Sequence, residues 1–184
     1  MKGRRPVVRA LALGLVFAGL AVSARGAYIP AKAELAQWLI GRAWATTRSG
    51  GRPTAPWPWA DFQTVARVNV PRLGETLYVL SNASGRSLAF GPGLVWRAPA
   101  TMIIAGHQDT HFRFLDRLVA DDRIHVEPAR GAATMFRVAE RRILVGNELP
   151  LGQFGDRDRL ILSTCWPFDG IAGERPDRLL IIAE

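Results

Sequence analysis

Cysteine is almost absent from this chain: Cys165 is the only one in 184 residues. A lone thiol cannot close a disulfide within its own fold, and without several partners it cannot form a structural zinc site. Lysine is nearly missing too, with Lys2 and Lys32 alone, so arginine carries the net charge of +8. The arginines are scattered, Arg4-Arg5 and Arg141-Arg142 being the only adjacent pairs. No aromatic-basic signature accompanies them, which argues against nucleic acid as a partner. Internal repeats and low-complexity tracts are absent. What the chain does have is 48% hydrophobic residues, enough for a folded core, and room for one ordinary domain with an appendage.

The appendage is N-terminal. Lys2, Arg4, Arg5 and Arg9 precede an uncharged stretch, Ala10 to Ala24, that ends at Arg25. A basic region followed by an apolar run is an export signal, and small residues at Val22-Ser23-Ala24 and Ala24-Arg25-Gly26-Ala27 offer cleavage points. The run falls short of the roughly 20 residues that span a bilayer. Val7 and Val8 nearly close the gap, with Arg9 reaching to the head groups. The expectation is therefore an uncleaved single-pass anchor over residues 1–27, cytoplasmic at its N-terminus, with the bulk of the chain outside the cytoplasm.

Residues 28–60 read as a membrane-proximal segment. Pro30 suits a first helical turn, and Leu35, Trp38, Leu39 and Arg42 set an amphipathic helix through about Ala45. Trp38, Trp44, Trp57 and Trp59 fit either a membrane interface or packing on a neighbouring domain. Thr46 to Pro58, with Pro53, Pro56 and Pro58, reads as a linker.

From Asp61 to Glu184 the signals are those of strands. Apolar or alternating runs fall at residues 62–70, 77–80, 102–105, 123–127, 134–139, 142–145, 160–164 and 179–183, separated by Gly, Pro and polar turns. His111 to Leu118 is the one helical turn. Many short strands with such punctuation predict an all-β barrel or sandwich.

Three places carry chemistry: the loop Ala105-Gly106-His107-Gln108-Asp109-Thr110-His111 after a buried strand, Cys165 at the end of Leu160-Ile161-Leu162-Ser163-Thr164, and Arg178 at the head of the last strand. A thiol nucleophile needs a proton acceptor and donor, which histidine supplies, and a cation or amide for a developing oxyanion. From spacing alone His107 and His111 are equivalent, as are Arg175 and Arg178. The alternative chemistry is a zinc hydrolase built on His107, Asp109 and His111. A non-catalytic barrel that binds a C-terminal peptide is the third reading. His125, mid-strand, reads as a sheet residue, and Asp121, Asp122 and Glu127 as a solvated turn.

Leu162-Ser163-Thr164-Cys165 followed by Arg178 and an apolar strand resembles the sortase signature, and Ala105-Gly106-His107 resembles the sortase histidine segment. Ser84 to Gly93, Ala105 to Leu115 and Thr164-Cys165-Trp166-Pro167-Phe168-Asp169 are similar to the sortases of Gram-negative bacteria (class GN), and the likeness runs over about residues 28–184. The resemblance implies a sortase-like eight-stranded β-barrel with short helices, behind a membrane helix and an amphipathic helix. It implies a cysteine transpeptidase with Cys165 as nucleophile, His107 as acid and base, and Arg178 at the oxyanion. Thr164 then shapes the nucleophile's surroundings, Trp166 and Phe168 line the substrate groove, and His111 orients the loop. No metal and no cofactor is called for. The implied partners are a substrate protein with an LPxTG-like C-terminal tail and the bacterial inner membrane, with the domain facing the periplasm. The amine acceptor is not legible.

Overall fold

The computed structural model describes residues 4–98, 101–146, 158–169 and 177–184, and in the first helix the side chains of 13–16, 19 and 31 onward. A long helix α1 (Arg4–Arg48) leads into β1 (Thr64–Val70) and β2 (Glu75–Leu80). A single-turn helix α2 (Gly85–Leu88) separates these from β3 (Gly93–Arg97) and β4 (Thr101–Ala105). A 3-10 turn at Arg113–Arg117 precedes β5 (Arg123–Pro128), β6 (Thr134–Leu144), β7 (Arg159–Cys165) and β8 (Arg178–Ala183). The eight strands close into a barrel in the order β1-β2-β3-β4-β7-β8-β6-β5.

Period-two alternation explains the closure. Val68 and Val70 of β1, Ile104 of β4, Val126 of β5, Leu160 and Leu162 of β7, and Leu179 and Ile181 of β8 point inward with Phe112, Phe114 and Leu115. The intervening residues of the β4-β7-β8 trio, Ile103, Ile161, Leu180 and Ile182, form a second apolar cluster on the outer face. These strands are therefore buried on both sides, which suits the parallel pairing of β4 with β7.

The strand count of eight conceals two compensating differences from the sequence pattern. Gly93–Arg97 forms β3, a strand the pattern does not announce, because Leu94-Val95-Trp96 is brief and a register shift between Leu94 and Trp96 breaks its alternation. Conversely, the runs at 134–139 and 142–145 are one strand, β6. A register shift between Val138 and Glu140 interrupts the alternation there.

The N-terminal half also differs. A helix starting at Pro30 was expected after a separate anchor, whereas α1 is one helix through Pro30. Among the described residues no helix is long and apolar enough to cross a membrane. The chain divides into two compact units, Met1–Trp38 and Leu39–Glu184, so the last turns of α1 belong with the barrel. There Ile40 joins Phe62 and Leu80 in a small core with Trp57 and Phe90 packed against it. Gly41 lies so close to Tyr78 that a Cβ would come within 2.9 Å of its hydroxyl. Arg67 stacks on Trp44 at 4.6 Å and pairs with Glu127 at 2.6 Å, which Arg48 also reaches. Trp44 and Trp57 thus serve packing, while Trp38 and Trp59 stand exposed. The expected linker is fixed through Trp57, whose ring meets Phe62 edge-on at 5.4 Å.

Asp122, expected as part of a solvated turn, is buried. Arg72 Nη2 donates to its Oδ2 at 2.6 Å and to the Arg117 carbonyl at 2.6 Å, and Val119 N–H donates to the same carboxylate. The β1–β2 turn is thereby tied to the end of the loop that follows β4. The Arg72 guanidinium holds the Asp122 carboxyl below the usual carboxylate range, against its burial. Because the folded value lies below the unfolded one, near 3.9, the pair's stabilisation is complete above that pH. It drains away as pH falls through the depressed folded value. Asp122→Asn should lower Tm at pH 7 and flatten the loss of Tm between about pH 4 and pH 2. Thermal melts of both proteins across pH check this, and identical slopes would refute it.

Candidate active site

The end of the barrel at which β4 and β7 both stop holds the chemistry. The two strands run parallel with Ala105 opposite Ser163, so the chain leaving β4 and the end of β7 reach the same rim. β8 runs antiparallel to β7 with Arg178 directly opposite Cys165. Side chains so placed have Cβ atoms about 4.5–5.5 Å apart. Leu162 and Leu179 face inward, so alternation turns Cys165 and Arg178 to the outer face. Cys165 is a half-buried free thiol, Arg178 is half-buried, and His107, two residues beyond β4, is exposed.

His107 is held through its neighbours. Gly106 N–H donates to the Ser163 carbonyl at 3.1 Å, and the buried Thr164 Oγ1 donates to the Gly106 carbonyl at 2.8 Å. Phe112 N–H then donates to the His107 carbonyl at 2.9 Å, closing the loop. The Phe112 ring lies on Gly106, where a Cβ would sit 2.8 Å from ring carbon Cγ. Residue 106 has to be glycine for the ring to pack there.

His111 is a different kind of group. Burial, and then the neighbouring His107, push its pKa below the ordinary histidine value, only partly offset by Asp109 and a backbone hydrogen bond at Ala89. It is neutral at neutral pH and faces an open cleft of about 540 Å³ shared with Glu75, Leu77, Asp109, Phe114 and Phe168. Trp166 and Phe168 meet edge-to-face at 5.7 Å and pack on the main core. Arg141 lies over Trp166 at 5.3 Å and pairs with Asp116 at 2.9 Å. The two aromatics therefore cap the barrel end, and Phe168 also lines the cleft. Trp166 N–H donates to the Asp177 carbonyl, fixing the base of this connection.

Among the described residues no three His, Cys, Asp or Glu side chains gather as metal ligands. The His107, Asp109 and His111 set that the zinc alternative needs does not assemble. Arg175, the rival of Arg178, lies outside the described residues, as do Gly173, Glu174 and Pro176. Sequence reasoning passed over Phe112, Asp177 and Ser163. The Gly-to-aromatic spacing from Gly106 to Phe112 was the available signal for the first; the others had none.

A closed eight-stranded barrel bearing a lone thiol, a histidine loop and an arginine at one rim defines a narrow class. A sortase-domain family model matches residues 68–184, and the chain belongs to the sortase family, a family of cysteine transpeptidases. Among solved structures it is similar to sortase A from Corynebacterium diphtheriae, at 20% identity and TM-score 0.59 over 68% of this chain and 62% of that one. It is also similar to Clostridium perfringens sortase C with the C-terminal cell wall sorting motif, at 16% identity and TM-score 0.58 over 89% and 97%. A lid-mutant of Streptococcus agalactiae sortase C1 matches at 18% identity and TM-score 0.57 over 82% and 85%. The chain thus spans less than two thirds of the length of the Corynebacterium structure, and these likenesses establish the fold. No curated protein matches the chain.

Two substitutions probe the loop clamp. Thr164→Val keeps the volume but strips the Gly106 carbonyl of its donor, and should cost about 1–3 kcal/mol. Gly106→Ala should cost about as much by overpacking against Phe112. Chemical denaturation measures both, and a cost under about 0.5 kcal/mol in each would show that the clamp is not under load.

Proposed function

We propose that this chain is a membrane-anchored sortase of the Gram-negative class. Its Cys165 cleaves a C-terminal sorting motif and passes the acyl group to an amine. The carrying observation is that Cys165 stands opposite Arg178 at the rim where β4 releases His107. The Cys165 thiolate attacks the scissile carbonyl, and a C–S bond forms as the C–N bond breaks. The departing amine takes its proton from the His107 imidazolium. An incoming amine then gives a proton to neutral His107 and attacks the thioester, so the new amide forms and the thiolate returns. Arg178, beside the nucleophile, supplies the cation for the tetrahedral oxyanion and holds the substrate backbone. Thr164 acts by holding Gly106, and His111 acts on the loop without serving as the proton carrier.

The substrate class, a protein with an LPxTG-like tail, is supported by membership of the family and by a related fold solved with a cell wall sorting motif. Placement in the inner membrane, facing the periplasm, is supported by the basic residues ahead of Ala10 to Ala24. The Gram-negative assignment is supported by the blocks at Ser84 to Gly93, Ala105 to Leu115 and Thr164 to Asp169.

The test is cleavage of a panel of LPxTG-like peptides by the full chain, with and without an added amine. A thioacyl adduct at Cys165 should appear by mass spectrometry. Cys165→Ala should abolish turnover, His107→Gln should reduce it about 10²–10⁴-fold, and Arg178→Gln about 10²–10³-fold. A chelator should change nothing. Turnover that survives Cys165→Ala and dies with chelation would sink the proposal.

A further inference from the structure

The open cleft of about 540 Å³ draws its walls from three places: Glu75 and Leu77 of β2, the loop from Gln108 to Arg117, and Phe168. It takes in Gln108, next in the chain to His107, and Phe168, just beyond Cys165. His107, Cys165 and Arg178 themselves do not line it. The cleft therefore lies beside the histidine loop and off the thiol, and its size suits a small molecule or the end of a peptide.

The charges that line the cleft fall into two groups. Glu75 and Arg117 pair with each other at 2.6 Å, and Asp116 pairs with Arg141 at 2.9 Å. Among the described residues, Asp109 and Arg113 make no side-chain hydrogen bond or ion pair, with each other or elsewhere. Both are exposed and belong to one tightly turned segment. There Phe112 N–H donates to the His107 carbonyl and Arg113 N–H to the Thr110 carbonyl. One anion and one cation thus stand uncommitted in the same cleft, on the loop that carries His107.

We infer that this cleft is the subsite for the amine acceptor, and that it selects an amine that also carries a carboxylate, as an amino acid or a short peptide does. The inference rests on the acyl-transfer reading above, in which His107 takes the acceptor's proton. A site beside the base and off the thiol is where that amine has to stand. The Arg113 guanidinium receives the carboxylate through charge-assisted hydrogen bonds, and Asp109 draws in the ammonium form. The ammonium releases one proton to water. The neutral amine then gives a second to His107 as it attacks the thioester, and the thiolate leaves. Water gains nothing from either charge, so the cleft favours transfer over hydrolysis.

The experiment uses the full chain in mild detergent, with the LPxTG-like peptide that acylates Cys165 best. Two acceptors are compared, diglycine and diglycine amide, which differ in the carboxylate. The readout is the ratio of their kcat/KM values for the transfer product, taken within each protein so that a general change in activity cancels. The wild type should prefer diglycine about three- to tenfold. Arg113→Gln should bring the ratio to unity, and Arg113→Glu should reverse it. Asp109→Asn should raise KM for both amines together. A wild-type ratio of unity, or a preference that Arg113→Gln leaves unchanged, overturns the inference, while a Cys165 thioacyl adduct keeps the sortase reading intact. An effect of Arg113→Gln on the KM of the sorting peptide alone would put that peptide in the cleft and overturn the inference as well. A wild type that forms no adduct with any peptide of the panel overturns both.

Discussion

The parallel pairing of β4 with β7 is the constraint on which the rest of the molecule depends. Most neighbours in this barrel are antiparallel, and an antiparallel pair brings the end of one strand to the start of the next. Only a parallel pair lets two strands deliver their C-terminal ends to one rim. Here Ala105 lies opposite Ser163, so the histidine loop and the cysteine emerge side by side. β8 returns antiparallel on the other flank and presents its first residue, Arg178, to the same rim. That register brings His107, Cys165 and Arg178, far apart in the chain, to one rim of the barrel. A one-residue slip of β7 would turn Cys165 into the barrel and Thr164 outward.

The same pairing explains the composition of the strands. A strand flanked on both sides and buried on both faces has no solvent face on which to place polar residues. Leu160-Ile161-Leu162 and Leu179-Leu180-Ile181-Ile182 are accordingly continuous apolar runs, all but Ile182 without measurable exposure. A rigid platform of this kind holds the site to narrow tolerances. The loop that carries His107 is then secured at both ends. Thr164 and Phe112 hold its start, and the Arg72–Asp122 pair holds its finish.

Much of this was legible in the sequence. Continuous apolar runs ended by Gly106 and Cys165 marked buried strands delivering chemistry to their ends, and the resemblance ranked His107 over His111. His111 is half-buried, and that burial pushes its pKa below the ordinary histidine value. What could not be read followed from tertiary pairing. The bulges in β3 and β6 break the period-two pattern, hiding one strand and splitting another. Pro30, a natural start signal, lies inside α1. The Arg72–Asp122 pair joins residues 50 apart, and nothing local distinguishes Asp122 from the exposed Asp121 beside it.

Ser163 and Thr164 condense the logic of the rim. Both are small hydroxyl residues, adjacent in one strand, and both are fully buried. The pleat sends them to opposite faces. Inside, Thr164 meets a backbone carbonyl that β4 leaves free where it stops pairing, and its hydroxyl is matched. Outside, Ser163 meets Ala105 and Leu180, which offer no side-chain acceptor.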